Sequence, residues 1–103
     1  MRWGGVNHFQ LRNGALHCED VPLAEIAESA GTPVYVYSTA TMVRHVEVFR
    51  RALEGLGDPL IAYAIKANSN AAVVATLAKA GCGADIVSGG EYRRARAAGV
   101  APD

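Results

Sequence analysis

The sequence predicts an α/β chain with parallel strands, preceded by a short antiparallel hairpin. Three observations carry that expectation. From Leu60 onward, apolar strand-like runs alternate with helical stretches rich in Ala, Val and Leu, the order that builds parallel sheets with right-handed crossovers. The run Leu60-Ile61-Ala62-Tyr63-Ala64-Ile65-Lys66 is almost continuously apolar, as strands covered on both faces are. Near the start, Asn13-Gly14 stands between alternating segments, a strong hairpin signal because both turn positions take positive φ.

In order, residues 8–12 and 15–18 form the hairpin strands. Asp20 then caps a helix, Pro22 occupies its first turn, and Leu23, Ile26, Ala27 and Ala30 line one face up to Gly31. Val34-Tyr35-Val36-Tyr37 is β-branched and aromatic, which predicts a short strand. Ser38 or Thr39 caps a longer helix that carries Met42, Val43, Val46, Phe49 and Leu53 on one stripe, and Gly55 and Gly57 stop it. After the strand over residues 60–66, Asn70 caps a helix over residues 71–80 that Gly81 ends. Ala84-Asp85-Ile86-Val87 is the next strand. Ser88-Gly89-Gly90-Glu91 has capping-box spacing and opens a last helix closed by Gly99. The rhythm calls for another strand just after Asp103, so the chain reads as a piece cut between units.

Composition narrows the classes. The chain has 103 residues, 50% hydrophobic and 19% charged, which excludes a disordered tail, a collagen-like fibre and a disulfide-stapled miniprotein. Ten basic and ten acidic residues give a net charge of zero, so no charge surplus draws it to nucleic acid or an anionic membrane. Its apolar runs fall far short of the ~20 residues a spanning helix needs. Met1-Arg2-Trp3-Gly4-Gly5 has no apolar stretch behind it, so no secretory leader is read and a cytoplasmic setting is expected. Cys18 and Cys82 form no CxxC or Cys/His cluster, and His8, His17 and His45 show no ligand spacing. Two reduced thiols and no metal site are expected.

Eight Arg stand against two Lys, and one of those, Lys66, lies in the most apolar part of the chain. Alternation along a strand puts Ala62, Ala64 and Lys66 on one face and Ile61, Tyr63 and Ile65 on the other. Lys66 also falls at the carboxyl end of its strand, where α/β folds place their sites. A desolvated lysine there suits Schiff-base chemistry with a carbonyl. The plainer reading is a lysine that snorkels into solvent. Asp85 is either a pocket carboxylate aimed at a cation or a strand-end acid satisfied by backbone. Gly81-Cys82-Gly83 and Ser88-Gly89-Gly90 read as helix punctuation, not a phosphate loop. Arg93, Arg94 and Arg96 read as a solvated helix face.

Tyr63-Ala64-Ile65-Lys66-Ala67-Asn68-Ser69-Asn70 resembles the lysine motif of the alanine-racemase-like, fold-type III decarboxylases that use pyridoxal 5'-phosphate (PLP). Gly83-Ala84-Asp85-Ile86-Val87-Ser88-Gly89-Gly90-Glu91 is similar to the segment that follows one unit later in that family. Thr32-Pro33-Val34-Tyr35-Val36-Tyr37-Ser38 and the leader, with Asn7-His8-Phe9 and Glu19-Asp20-Val21-Pro22-Leu23, resemble the branch acting on diaminopimelate.

The resemblance implies the N-terminal part of a PLP-binding (β/α)8 TIM-type barrel, with leading strands that belong to a second, β-rich domain. Residues 1–33 are then a leader with the hairpin and first helix, and residues 34–103 the first two β/α units, truncated. It implies decarboxylation of meso-2,6-diaminopimelate to L-lysine, the last step of lysine biosynthesis. Lys66 is the implied catalytic residue and covalent PLP carrier, with Asp85 near the cofactor and Ala64 bordering its ring. A small-molecule amino-acid substrate and a homodimer with a shared active site are implied as well. The family's phosphate grip, ring-stacking histidine and acid at the ring nitrogen lie further along the chain. The 103 residues alone are therefore expected to fold poorly, to hold PLP weakly and to turn over no substrate. Three other readings stand beside this one: a decarboxylase of another basic amino acid or polyamine precursor, a non-catalytic PLP-binding barrel protein, and a plain α/β module with Lys66 inert.

Overall fold

Asn13 at φ 51° and Gly14 at φ 79° reverse the chain between β1 (Phe9–Arg12) and β2 (Ala15–Cys18). The strands pair antiparallel, with Phe9 opposite Cys18 and Arg12 opposite Ala15, the two-residue hairpin that positive φ at both turn positions makes possible. The computed structural model describes residues 6–102. Met1-Arg2-Trp3-Gly4-Gly5, read above for a leader, and Asp103 lie outside the described residues. The chain forms two compact units, one ending at Thr41 and the other beginning at Met42.

In the first unit a third strand, β3 (Val21–Pro22), pairs with β2 through Cys18–Val21 and His17–Pro22. That pairing corrects the predicted cap. The helix α1 (Leu23–Ala30) starts from Pro22 with no side-chain bond at its N-cap. Proline is tolerated at the outer strand because it has no N–H to give to a ladder. Asp20 is left too far upstream to cap, and its carboxylate instead meets the Arg12 guanidinium at 3.0 Å. Gly31 ends α1 at φ 82°. The strand predicted at residues 34–37 is absent: no ladder forms there, and Tyr35 is 88% exposed. Propensity alone makes no strand where no neighbour offers donors and acceptors. Ser38 is buried, and its Oγ accepts the N–H of Thr41 at 3.1 Å, so it caps the next helix, α2 (Thr39–Ala52).

From Met42 onward the predicted alternation appears. β4 (Ala62–Ala64), α3 (Ala71–Lys79), β5 (Gly83–Asp85) and α4 (Gly89–Ala97) follow one another, and β4 pairs parallel with β5. Both strands are shorter than predicted. After Ala64 the chain tightens into a single 3-10 turn, Ile65–Ala67, and β5 stops before Ile86. The expectation of burial on both faces also fails, since Leu60 is 69% exposed and Ala62 is exposed. Helices cover one side only. There Ile61 and Tyr63 pack on Val46, Val73, Leu77 and Cys82, while Tyr63 and Ala84 pack on Ile65, Val74, Ala95 and Val100. Ile65 and Val74 are fully buried, each contributing about 1.5–3 kcal/mol of apolar transfer. Of the stripe predicted on α2, Met42 and Val46 join this core, whereas Phe49 is 54% exposed.

Side chains define the helix starts in this unit. Asn70 Oδ1 accepts the N–H of Ala72 at 2.9 Å, and Ser88 Oγ accepts that of Glu91 at 3.1 Å. The reciprocal bond of the predicted capping box falls one residue earlier than expected, with Glu91 Oε2 accepting the N–H of Val87 at 2.6 Å. No helix among the described residues is long and apolar enough to cross a membrane.

Candidate functional site

Residues in register on neighbouring parallel strands share a face, and successive residues alternate. The β4–β5 register sets Ala62 against Gly83, Tyr63 against Ala84 and Ala64 against Asp85. Tyr63 and Ala84 face the helices. Ala62, Ala64, Gly83 and Asp85 therefore occupy the opposite, uncovered face, with Ala64 and Asp85 at the carboxyl ends of their strands. Ala64 is half-buried and Asp85 exposed. The Asp85 carboxylate has no hydrogen-bond or ion-pair partner among the described residues.

Lys66 sits one step past β4, in the 3-10 turn, and is exposed. This corrects two expectations. The strand ends at Ala64, so Lys66 is not on a strand face with Ala62 and Ala64, and of the two readings of its side chain the exposure matches the one that reaches solvent and not the desolvated one. The turn forms because Ile65, with no exposed surface, is pulled into the core beneath it. The register pair and the turn bring the three residues singled out in the sequence, Ala64, Lys66 and Asp85, to one strand-end region. Lys66 likewise has no partner among the described residues.

The segment after Lys66 is tied down. Tyr63 Oη donates to the carbonyl of Asn68 at 2.8 Å, Asn68 Oδ1 accepts the N–H of Asn70 at 3.0 Å, and Arg94 Nη1 reaches the carbonyl of Ser69 at 3.4 Å. Arg94 is thus more than part of a solvated face, and Arg96 Nη1 bonds the carbonyl of Val100 at 2.8 Å. Sequence reasoning singles out neither Tyr63 nor Arg94 for the site, because no residue pattern announces a side-chain bond to a backbone carbonyl, whether near in the chain, as for Tyr63, or far, as for Arg94.

The remaining candidates lie elsewhere. His8 Nδ1 stands 2.8 Å from Thr41 Oγ1, His17 Nδ1 2.9 Å from the Ala15 carbonyl, and His45 is exposed. Cys18 and Cys82 are free and buried. Burial pushes the Cys18 thiol up, helped by the Glu19 charge and opposed by a bond with Ser38. Burial also raises Cys82, against the pull of Arg50. Neither is an activated nucleophile. Among the described residues no group of His, Cys, Asp and Glu is gathered for a metal ion.

A primary amine, a carboxylate and a small methyl at one strand end fit a flat, aldehyde-bearing ring. The amine has access to the carbonyl carbon, the carboxylate attracts positive charge, and alanine leaves the face unfilled.

A family model described as "Pyridoxal-dependent decarboxylase, pyridoxal binding domain" matches residues 39–103. A diaminopimelate decarboxylase of Zymomonas mobilis is 50% identical over 97 residues, covering 92% of this chain and 23% of that protein. One of Vibrio cholerae is 52% identical over 98 residues, covering 94% and 23% respectively. A crystal structure of diaminopimelate decarboxylase from M. jannaschii in complex with L-lysine superposes with a TM-score of 0.77 at 40% identity, over 93% of this chain and 23% of that one. The chain thus spans about a quarter of the length of the relatives it matches.

Proposed function

The chain belongs to the pyridoxal-dependent decarboxylases, carrying sequence of their pyridoxal-binding domain over residues 39–103, and from that premise we propose that its protein converts meso-2,6-diaminopimelate to L-lysine and CO2. The observation that carries the reading is the strand-end cluster: Lys66 exposed on its turn beside the in-register pair Ala64 and Asp85. The substrate assignment is supported by the names of the relatives at about half identity and by the lysine complex among the similar structures.

PLP is the cofactor of this family, and when bound it supplies a ring that accepts the electron pair left as CO2 departs. Lys66 would hold the cofactor through its Nζ, the one nucleophilic amine of the strand-end cluster. Asp85 would present a carboxylate at the same strand end, near the cofactor, an anion suited to hold an ammonium group. Ala64, in register with Asp85, would border the ring with only a methyl. Residues 1–33 are assigned to a β-rich domain and residues 34–103 to the opening units of a TIM-type barrel. A cytoplasmic homodimer completes the proposal.

Borohydride reduction of the holoenzyme, followed by peptide mapping, tests the assignment. A pyridoxyl label on Lys66 is expected, with CO2 released from meso-diaminopimelate in preference to L-ornithine or L-arginine. Lys66→Ala is expected to lose the label and to lower kcat by on the order of a thousandfold or more. A label elsewhere, or normal turnover without Lys66, overturns the role of Lys66; preference for ornithine or arginine overturns the substrate.

A further inference from the structure

We propose that Tyr63 is a positioning residue: its hydroxyl latches the chain on the far side of Lys66 and so fixes where the lysine amine is held. The proposal rests on the functional reading above and concerns residues that reading does not use. Tyr63 precedes Lys66 by three positions and Asn68 follows it by two, so the 2.8 Å bond from Tyr63 Oη to the Asn68 carbonyl closes a loop of chain around the lysine. The ring of Tyr63 is anchored at its base, packed between both core clusters. Inside the loop, Ile65 is fully buried and pins the turn from below. On its outer side Arg94 reaches the Ser69 carbonyl at 3.4 Å, and Asn70 caps α3 just beyond. An exposed lysine has several rotatable bonds, and its reach to a fixed carbon is only as well defined as the backbone that carries it. Holding that backbone from both sides shortens the search for a productive geometry.

The bond goes to a backbone carbonyl, so it is removed cleanly only from the tyrosine side. Tyr63→Phe keeps the buried ring and deletes the hydroxyl. Three readouts are taken on the apoenzyme and holoenzyme. Hydrogen exchange of the amides at residues 65–69 is expected to speed up several-fold, with the amides of α3 and α4 unchanged. Covalent capture of added PLP, followed by absorbance and confirmed by borohydride trapping at Lys66, is expected to slow about tenfold. KM for the amino-acid substrate is expected to stay within about twofold while kcat falls, because the hydroxyl holds the lysine and not the substrate.

Unchanged exchange at residues 65–69 overturns the latch. Faster exchange with capture at the parental rate overturns its positioning role and leaves Tyr63 as packing. If the parent itself carries no label on Lys66, the functional reading fails and the proposal falls with it. Should Tyr63→Phe not fold, exchange in the parent decides: amides of residues 65–69 protected well beyond those of an open loop support the latch, and exchange at the rate of an unstructured segment overturns it.

Discussion

Ala64 and Asp85 stand opposite one another at the carboxyl ends of β4 and β5, in register across a parallel ladder. A methyl and a carboxylate thus share the uncovered face of the sheet immediately before the turn that carries Lys66. If that face receives the cofactor ring, bulk at Ala64 displaces it. Ala64→Leu is expected to weaken PLP binding by about 10- to 100-fold, with the thermal midpoint close to the parent's. Equilibrium titration of the apoenzyme measures this, and parental affinity would show that the ring lies elsewhere. Asp85→Asn, which keeps the shape and removes the charge, is expected to weaken binding in the same assay.

Ile65 has no exposed surface and joins Val74, Ala95 and Val100 directly beneath the lysine turn. Ile65→Ala leaves a cavity there and is expected to cost about 2–5 kcal/mol of stability in a denaturant titration. Capture of PLP should slow as well, because the turn loses its anchor. A loss below about 1 kcal/mol would mean that the turn is held from elsewhere.

Ser88 Oγ caps α4 by accepting the Glu91 N–H at 3.1 Å. Ser88→Ala is expected to lower stability by about 1 kcal/mol and Ser88→Asp to retain it. Neither substitution should change the label on Lys66. A large loss of labelling in Ser88→Ala would give Ser88 a role beyond the cap.

Cys18 and Cys82 are both raised from the ordinary thiol value of 9.0, burial being the main cause in each. A folded value above the unfolded one means that the unfolded chain ionises first as pH rises. The contribution of these thiols is therefore whole below about pH 9 and is lost progressively above it. Stability measured from pH 7 to 10 should fall more steeply in the parent than in Cys18→Ala or Cys82→Ala. Alkylation of both thiols by iodoacetamide should be slow in the native state and fast in denaturant.

Much of the site is legible in the residue order. The Asn13-Gly14 hairpin, the caps at Asn70 and Ser88, and the β-α-β-α alternation each depend on interactions within a few residues, which local chemistry specifies. The assignment of Ile61, Tyr63 and Ile65 to one side and Ala62 and Ala64 to the other holds because strand alternation is a backbone property. The two errors nearest the site share a cause. A continuous apolar run over residues 60–66 reads as one strand covered on both faces, yet no local signal marks where Ile65 leaves the ladder for the core.

By itself, the sequence singled out the candidate residues: a lysine set in an apolar run, an aspartate one unit later, and the motif that ties the segment to a PLP family. Tertiary structure alone decided how they are presented. Parallel pairing of β4 with β5 put Ala64 beside Asp85, burial of Ile65 rolled Lys66 out of the strand onto an exposed turn, and the Tyr63 hydroxyl found the Asn68 carbonyl. Each of these joins residues through the packed core or a backbone hydrogen bond, and neither is encoded by spacing along the chain. Composition tells which side chains are available, and packing tells which of them are held still.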